Sequence, residues 1–418
     1  MSQPPDVLII GGGLAGLTCA RLLHEQGVSF SILEASDWIG GRVRTDIVDG
    51  FRLDRGFQVL LTEYPEARAL LDYRRLGLYV FEPGALVRCD NRFYEVSDPW
   101  RSSGRLLQTL GAPIGTLRDK WRIGRLRREL RLLSVPQILA RRESSTRKAL
   151  EAYGFSSRMI DRFFRPFYGG IFLDSQLGVS SRMFEFTFKM FAEGDAAVPE
   201  KGMQAIPEQL AEGFPAGAVR LKTRVEGIDG TEVRLAGGEI LKAGAVVVAT
   251  DGPSAYGLLP ESVRLPGSRG VTCLYFSSPE PPVSRPILIL ASASRGPVNN
   301  LHVASAVVPS YAPPGVALVS VTALGTAIRN DAALETAVRD QLRRWYGSVV
   351  KRWRLLRIYR IQHALPFVSG LGAPQSARIR PGLYVCGDHR VAPSIQGAME
   401  SGRRAARALL KDFFPAQQ

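Results

Sequence analysis

The chain has 418 residues, of which 45% are hydrophobic and 22% charged, a mix that excludes disordered and fibrous proteins. Its length exceeds what a single core usually supports, so two domains or one domain with a large insertion are expected. The net charge is +15, from 54 Lys and Arg against 39 Asp and Glu, and points to an anionic partner: nucleic acid, a membrane surface or an acidic substrate.

The charge is local. From Arg118 to Lys148 eleven Lys and Arg face three acids, a local +8, and from Arg339 to Arg360 eight face one, a local +7. The remainder of the chain is neutral overall. Cys19, Cys89, Cys273 and Cys386 lie far apart, with no CxxC or Cys/His spacing. Neither a metal site nor a disulfide framework is expected, and a reducing, cytoplasmic compartment is the simplest reading. The apolar N-terminal stretch contains four glycines and lacks a basic leader, which makes it a poor signal peptide. No run approaches the roughly 20 apolar residues of a membrane span, so the protein is expected to be soluble or peripheral.

In chain order, residues 6–10 (DVLII) read as a strand buried on both faces. Gly11-Gly12-Gly13-Leu14-Ala15-Gly16 follows, with the spacing G-x-G-x-x-G, then a helical segment that stops at Gly27 and a second strand, 29–33, ending at Glu34. Gly11 permits the tight turn, Gly13 lets backbone approach a pyrophosphate, and Gly16 lets helix pack close on strand. The helix N-terminus offers free N–H groups to phosphate, and Glu34 is placed to bind ribose hydroxyls. Strand, turn, helix, strand and terminal acid together specify a dinucleotide site; the motif does not separate NAD from FAD.

Next, Gly40-Gly41-Arg42 combines compact backbone with a cation, which suits a diphosphate approached from a second side, or else a turn with a solvated arginine. Near the C-terminus, residues 381–386 read as a strand followed by Gly387-Asp388. Residues 393–402 lead into a helix whose Ala398, Gly402, Ala405, Ala406, Leu409, Leu410 and Phe413 form one apolar face. This is a second cofactor cradle: Asp388 can accept a ribose or ribityl hydroxyl, and the helix start can face a partly negative group.

With these residues the sequence resembles the FAD-dependent amine oxidoreductase superfamily, and most closely its branch of phytoene desaturases, carotenoid isomerases and protoporphyrinogen oxidases. The resemblance is carried by GGGLAG at 11–16, Glu34, Gly40-Gly41-Arg42, residues 54–58 (DRGFQ), 202–207 (GMQAIP), 223–228 (TRVEGI), 246–250 (VVVAT), Ala364-Leu365-Pro366 and the 382–402 segment. These anchors run from one end of the chain to the other in family order. The resemblance implies an α/β fold: a Rossmann-like FAD-binding domain of the glutathione-reductase type with an inserted α+β substrate domain. The FAD domain would come from residues 1–75, 197–258 and 366–418. The substrate domain would come from 76–196, mainly helical, and from 259–365, a sheet plus a helix over 331–346.

It also implies non-covalent FAD. Gly11, Gly13, Leu14, Ala15, Gly16, Glu34, Ala35, Gly40, Gly41 and Arg42 would hold the ADP half, with Val225 at adenine. Gly56, Phe57 and Gln58 would lie near the isoalloxazine. Gly387, Asp388 and the backbone of Ile395, Gln396, Gly397 and Ala398 would hold the ribityl chain and pyrimidine edge. The family's aromatic-cage tyrosine aligns with Ser394, which disfavours simple amines, and no cysteine precedes this segment to form a thioether. Gln396 stands where the family usually has Glu.

The activity so implied is hydride transfer from a lipophilic, isoprenoid- or carotenoid-like small molecule to flavin N5. A flavin-dependent cis/trans isomerase of a polyene and an amine oxidase-like enzyme are the alternatives. No side chain is required as a catalytic acid or base; His363, before Ala364-Leu365-Pro366, is the candidate proton carrier, with His302 and His389 behind it. The aromatic runs at 163–168 and 184–191 either line a lipophilic pocket or form plain core. Leu117, Trp121, Leu126, Leu130 and Leu133, set among arginines, fit a helix lying on an anionic membrane or a solvated basic helix. Nucleic acid is not an expected partner, since no nucleic-acid motif accompanies the charge.

Overall fold

The computed structural model describes residues 5–98, 101, 111–265, 267–292, 296–372 and 375–413. Val7–Ile10 and Phe30–Leu33 are joined by the helix Leu14–Glu25, whose start and finish follow from Gly13 and from Gly27 at φ 70°. Both strands are apolar and buried, because they sit inside a six-stranded sheet. Its order is Val219–Arg220, Phe30–Leu33, Val7–Ile10, Ala245–Val248, Leu383–Val385 and Arg378–Arg380, parallel except for the last pair. Strands more than 200 residues apart in sequence thus form one sheet. The C-terminal helix Ile395–Phe413 crosses the first helix so closely that a Cβ on Gly402 would overlap the backbone carbonyl of Ala15.

A second, seven-stranded sheet has the order Arg354–Pro366, Ser268–Ser278, Ala317–Leu324, Val298–Val303, Leu288–Ala291, Gly84–Cys89 and Arg92–Ser97. Its last two strands come from the segment expected to be mainly helical. They join through a parallel pair, Leu290 beside Val87, that no local pattern announces. Alternation gives this sheet two faces. Leu274, Phe276, Ile289, Leu301, Val319 and Val321 bury one face against Leu334, Val338, Leu342 and Trp345 of the helix Asp331–Tyr346. The other face carries Cys273, Leu290, Asn300 and Thr322, which neighbour one another across the strands. In this sheet Val298–Val303 is followed by a short helix, Ala304–Val307.

Helices Leu117–Leu132, Arg165–Phe172 and Ser181–Glu193 complete the inserted region. Leu117–Leu132 starts in a capping box: Thr116 and Asp119 exchange backbone and side-chain hydrogen bonds, and the buried Asp119 also accepts from Ser156. The apolar edge expected on this helix divides. Leu126 and Leu130 are core and Leu133 is half-buried, while Leu117 and Trp121 are 68% and 66% exposed.

Candidate active site

A cavity of about 700 Å³ lies between the two sheets, within the range of small-molecule and cofactor sites. The glycine turns shape one part of it. Gly11, at φ 108°, leaves only 2.8 Å between a would-be Cβ and the Ala249 carbonyl. A Cβ on Gly16 would overlap the carbonyl of Gly11, so this glycine sets helix against turn rather than lining the cavity. Gly13 has open space where a Cβ would stand, and with Leu14 and Ala15 it presents the helix N-terminus to the cavity. The Gly40-Gly41 turn is fastened beside it, Gly40 N donating to Gly12 O at 2.7 Å. Glu34 accepts from the N–H groups of Gly12 (2.7 Å) and Ser36 (2.8 Å). Its carboxylate keeps further acceptor sites for hydroxyls.

Arg42 ties this half to the C-terminal cradle. Its guanidinium donates to Asp388 Oδ1 at 2.8 Å and to the Ala364 carbonyl at 2.9 Å. Asp388 is 4% exposed, so the pair is a buried acceptor and a partly exposed donor, with charge on both walls of the cavity. The Gln58 amide donates to the carbonyls of Arg42 and Arg55, while its Oε1 is buried without a partner among the described residues. An open glycine cradle at a helix start, a facing arginine, an acid with free acceptor sites and an orphaned acceptor beside Gly56 and Phe57 fit an FAD. Ala35, Gly40, Gly41, Gly56, Phe57, Val225, Gly387, Ile395 and Ala398 also line the cavity.

Gln396 and Gly397, expected to contribute backbone, are not among the lining residues. Gln396 turns away and accepts from the Glu66 N–H at 2.9 Å in the core. Gly397 faces Ala392, whose carbonyl a Cβ would overlap. On a helix start each residue turns by about 100°, so the first and fourth members of the motif share a side and the two between them face away. Thr250, Asp251 and Ser254 line the cavity and were not expected; the rule that ligands bind at the carboxyl ends of parallel strands would have found them.

None of the histidines considered as proton carriers lines this cavity. His363 is exposed, its Nδ1 paired with the Ser268 hydroxyl at 2.7 Å. His302 lies behind Phe57, ring centroids 4.6 Å apart, and burial pushes its pKa down to about 3. Burial likewise pushes His389 down to about 4. Behind the Gly56–Gln58 turn sits Asp54, which joins segments far apart in the chain. It accepts from Thr45 Oγ1 (2.5 Å), Met203 N (3.0 Å) and Tyr311 Oη (3.0 Å), and its own carbonyl accepts from Tyr275 Oη. Burial pushes its pKa up to about 6 despite those donors.

The inserted segments line the rest of the cavity. The aromatic runs split between the two roles expected for them: Phe164, Tyr168, Phe184 and Phe186 are core, while Phe167 and Phe191, centroids 5.3 Å apart, face the cavity. Beside them stand Ile171, Leu173, Leu288 and Leu290, with Thr187, Asn300 and Thr322 as the polar members. Leu173 holds φ 53°, which is rare for a leucine, at the end of its helix. The six charged lining residues are Glu34, Arg42, Arg55, Arg224, Asp251 and Asp388, all in the FAD-binding segments; among the described residues, the inserted segments contribute none.

Comparison with known proteins agrees with this geometry. The family described as flavin containing amine oxidoreductase matches residues 14–410. Polyamine oxidase 4 of Oryza sativa subsp. japonica is 42% identical over 80 residues, and putrescine oxidase of Kocuria rosea 40% over 77. These stretches cover 19% and 18% of this chain and 16% of each relative. A protoporphyrinogen oxidase-like protein from Exiguobacterium shares the fold over 98% of this chain and 99% of its own, with a TM-score of 0.75 at 16% identity. Cyclohexylamine oxidase from Brevibacterium oxydans does so over 98% and 100%, with a TM-score of 0.71 at 17% identity. The chain belongs to the flavin-containing amine oxidoreductase family and is an FAD-dependent oxidoreductase.

Proposed function

We propose that this protein oxidises an uncharged, lipophilic small molecule of the isoprenoid or carotenoid kind, on FAD held without a covalent bond. The observation that carries this reading is the uncharged lining supplied by the inserted segments. An ammonium group there would lose its hydration with no carboxylate to answer it, a cost that excludes cations from such sites. An apolar chain against Phe167, Phe191, Leu288 and Leu290 gains from the same burial. Bound FAD supplies the hydride acceptor. The chain's own residues hold the substrate, keep water out and fix the FAD through Arg42, Glu34 and Asp388. Non-covalent attachment is supported by the four cysteines, all buried and outside the cavity lining. Lipophiles of this kind partition into bilayers, so residence at a membrane surface belongs to the same reading.

One observation favours a second reading, polyene cis/trans isomerisation. The inserted segments line the cavity with no residue that titrates near neutral pH, which suits a reaction that releases no net proton. The test is organic extraction of the purified protein with mass spectrometry of the co-purified lipid. That lipid, and putrescine in parallel, is then added anaerobically to FAD-loaded protein. Loss of the oxidised flavin's visible band with the lipid alone is the expected result, and comparable bleaching by putrescine would refute it. Conversion that needs only catalytic amounts of reductant identifies the isomerase.

A further inference from the structure

We propose that the outer face of the helix Leu117–Leu132 is a docking surface for an anionic lipid bilayer. At about 100° per residue, Leu117, Trp121, Arg125, Arg128 and Leu132 fall within one sector of about 80°, and Arg118 borders it. All six are exposed, the three apolar ones heavily: Leu117 68%, Trp121 66% and Leu132 77%. The stripe runs the length of the helix, about 22 Å.

Its cations are unanswered. Arg118, Arg125, Arg128 and neighbouring Arg131 have no ion-pair partner among the described residues, whereas Arg127 is buried on Asp98 and Arg141 reaches Glu129. The acids of the helix are spent elsewhere, Asp119 on Ser156 and Glu129 on Arg141. The second basic segment differs. There Arg339 meets Glu335, Arg343 meets Asp340, Arg354 meets Asp49 and Arg360 meets Asp331. Four of that segment's eight cations are answered by acids, and no large apolar residue between 339 and 360 is exposed beside the rest; on the Leu117–Leu132 helix open arginines are offered outward together with a tryptophan and two leucines.

That combination selects lipid. Trp and Leu enter the interfacial region while arginines reach the headgroups. A nucleic-acid surface would set cations beside stacking or hydrogen-bonding groups, not leucines at both ends. The helix also sits over the cavity wall: Lys189 Nζ donates to the carbonyls of Leu130 (3.3 Å) and Arg131 (3.2 Å), and the Lys189 helix carries Thr187 and Phe191 to the cavity. The surface takes its purpose from the lipophilic-substrate reading, but its geometry stands apart from it.

FAD-loaded protein is sedimented with vesicles of phosphatidylglycerol and phosphatidylcholine, and with phosphatidylcholine alone. Binding to the anionic vesicles only, weakened by salt, is expected. Arg125→Glu/Arg128→Glu/Arg131→Glu should weaken it on the order of 100-fold. Trp121→Ser/Leu132→Ser should weaken it too, with flavin content and melting temperature unchanged in both variants, since every substituted side chain is exposed. Wild-type protein that stays in the supernatant overturns the proposal, as does a triple variant that binds like wild type. Duplex DNA binding that the triple variant loses but Trp121→Ser/Leu132→Ser keeps, without vesicle binding, would assign the face to nucleic acid. Vesicle binding with no lipid-driven bleaching retains this surface and rejects the substrate assignment; the reverse result does the opposite.

Discussion

Two glycines of one turn should fail in different ways when each is replaced by alanine. Gly16→Ala places a methyl on top of the Gly11 carbonyl, well inside the 3.0 Å that Cβ atoms do not cross, with Ala249 Cβ a further 3.2 Å away. Both neighbours are held in place, so the helix must move off the sheet, and overpacking of this kind costs about 1–3 kcal/mol or more. Gly13→Ala meets nothing within 4 Å, and its φ of −76° is open to any residue. Alanine is a poorer N-cap than glycine, but it also restricts the unfolded chain, so the net effect on the apoprotein stays within about 0.5 kcal/mol. The new methyl instead stands in the cradle at the helix start, where the FAD pyrophosphate is expected. Saturating FAD at about 100 times its Kd stabilises the fold by roughly 2.7 kcal/mol, and each tenfold loss of affinity removes about 1.4 kcal/mol of that. Urea unfolding with and without FAD separates the two effects. Gly16→Ala should shift both curves, and Gly13→Ala only the FAD-loaded one. A Gly13→Ala apoprotein as destabilised as Gly16→Ala, or a Gly13→Ala protein still fully stabilised by FAD, would show that the pyrophosphate does not lie over Gly13.

Gln396→Ala should leave the Glu66 N–H buried and unpaired, costing about 1–3 kcal/mol in urea unfolding, while flavin content at saturating FAD is unchanged; loss of flavin without loss of stability would make the Gln396 side chain a flavin ligand. Asp54, raised to about 6 in the fold against about 3.9 unfolded, favours its protonated form. Its stabilising contribution is therefore full below about pH 4 and is lost as pH rises to about 6, a change on the order of 3 kcal/mol. Asp54→Asn should flatten the stability profile across that window, and parallel profiles for variant and wild type would mean that the carboxyl is charged in the fold.

The dinucleotide turn was legible because its requirements are local. Each glycine answers a steric demand set by residues that are neighbours in sequence or on the next strand. The motif at 395–398 was legible as a segment but not as a surface. Ile395 and Ala398 line the cavity while Gln396 and Gly397 face the core, because the turn of the helix, not the identity of the motif, decides direction. His363 shows the same limit in a strand. Ile361 lines the cavity and residue 363 shares its face by alternation, yet the register shifts beside Val271 and the strand runs on to Pro366, where His363 emerges beside Ser268 at the surface. Least legible was the union of the two inserted segments in one sheet. It rests on pairings such as Leu290 with Val87, which depend on contacts roughly two hundred residues apart.

Net charge could not have said where the charge acts. Two segments of nearly equal basicity end differently: acids answer four of the eight cations of Arg339–Arg360, and four arginines of the other face solvent with none. The difference lies in which side of each helix carries the cations. Asp331–Tyr346 begins with an acid and carries Glu335 and Asp340 within reach of its arginines, so its charge closes on itself. Leu117–Leu132 spends its two acids on Ser156 and Arg141, so its outer arginines stay open. Inside the same inserted region the cavity lining is uncharged. Charge outside and none within is the partition that both proposals require: an anionic surface attracts the first, and a neutral lipophile is favoured by the second. A single carboxylate in the lining tests the inner half of that partition. Leu290→Asp should abolish bleaching by the co-purified lipid while leaving vesicle binding intact, because residue 290 is buried in the cavity lining and the outer face of the Leu117–Leu132 helix is exposed to solvent. Undiminished bleaching would show that the substrate does not reach the Leu288–Ala291 strand, and the uncharged lining would lose its meaning.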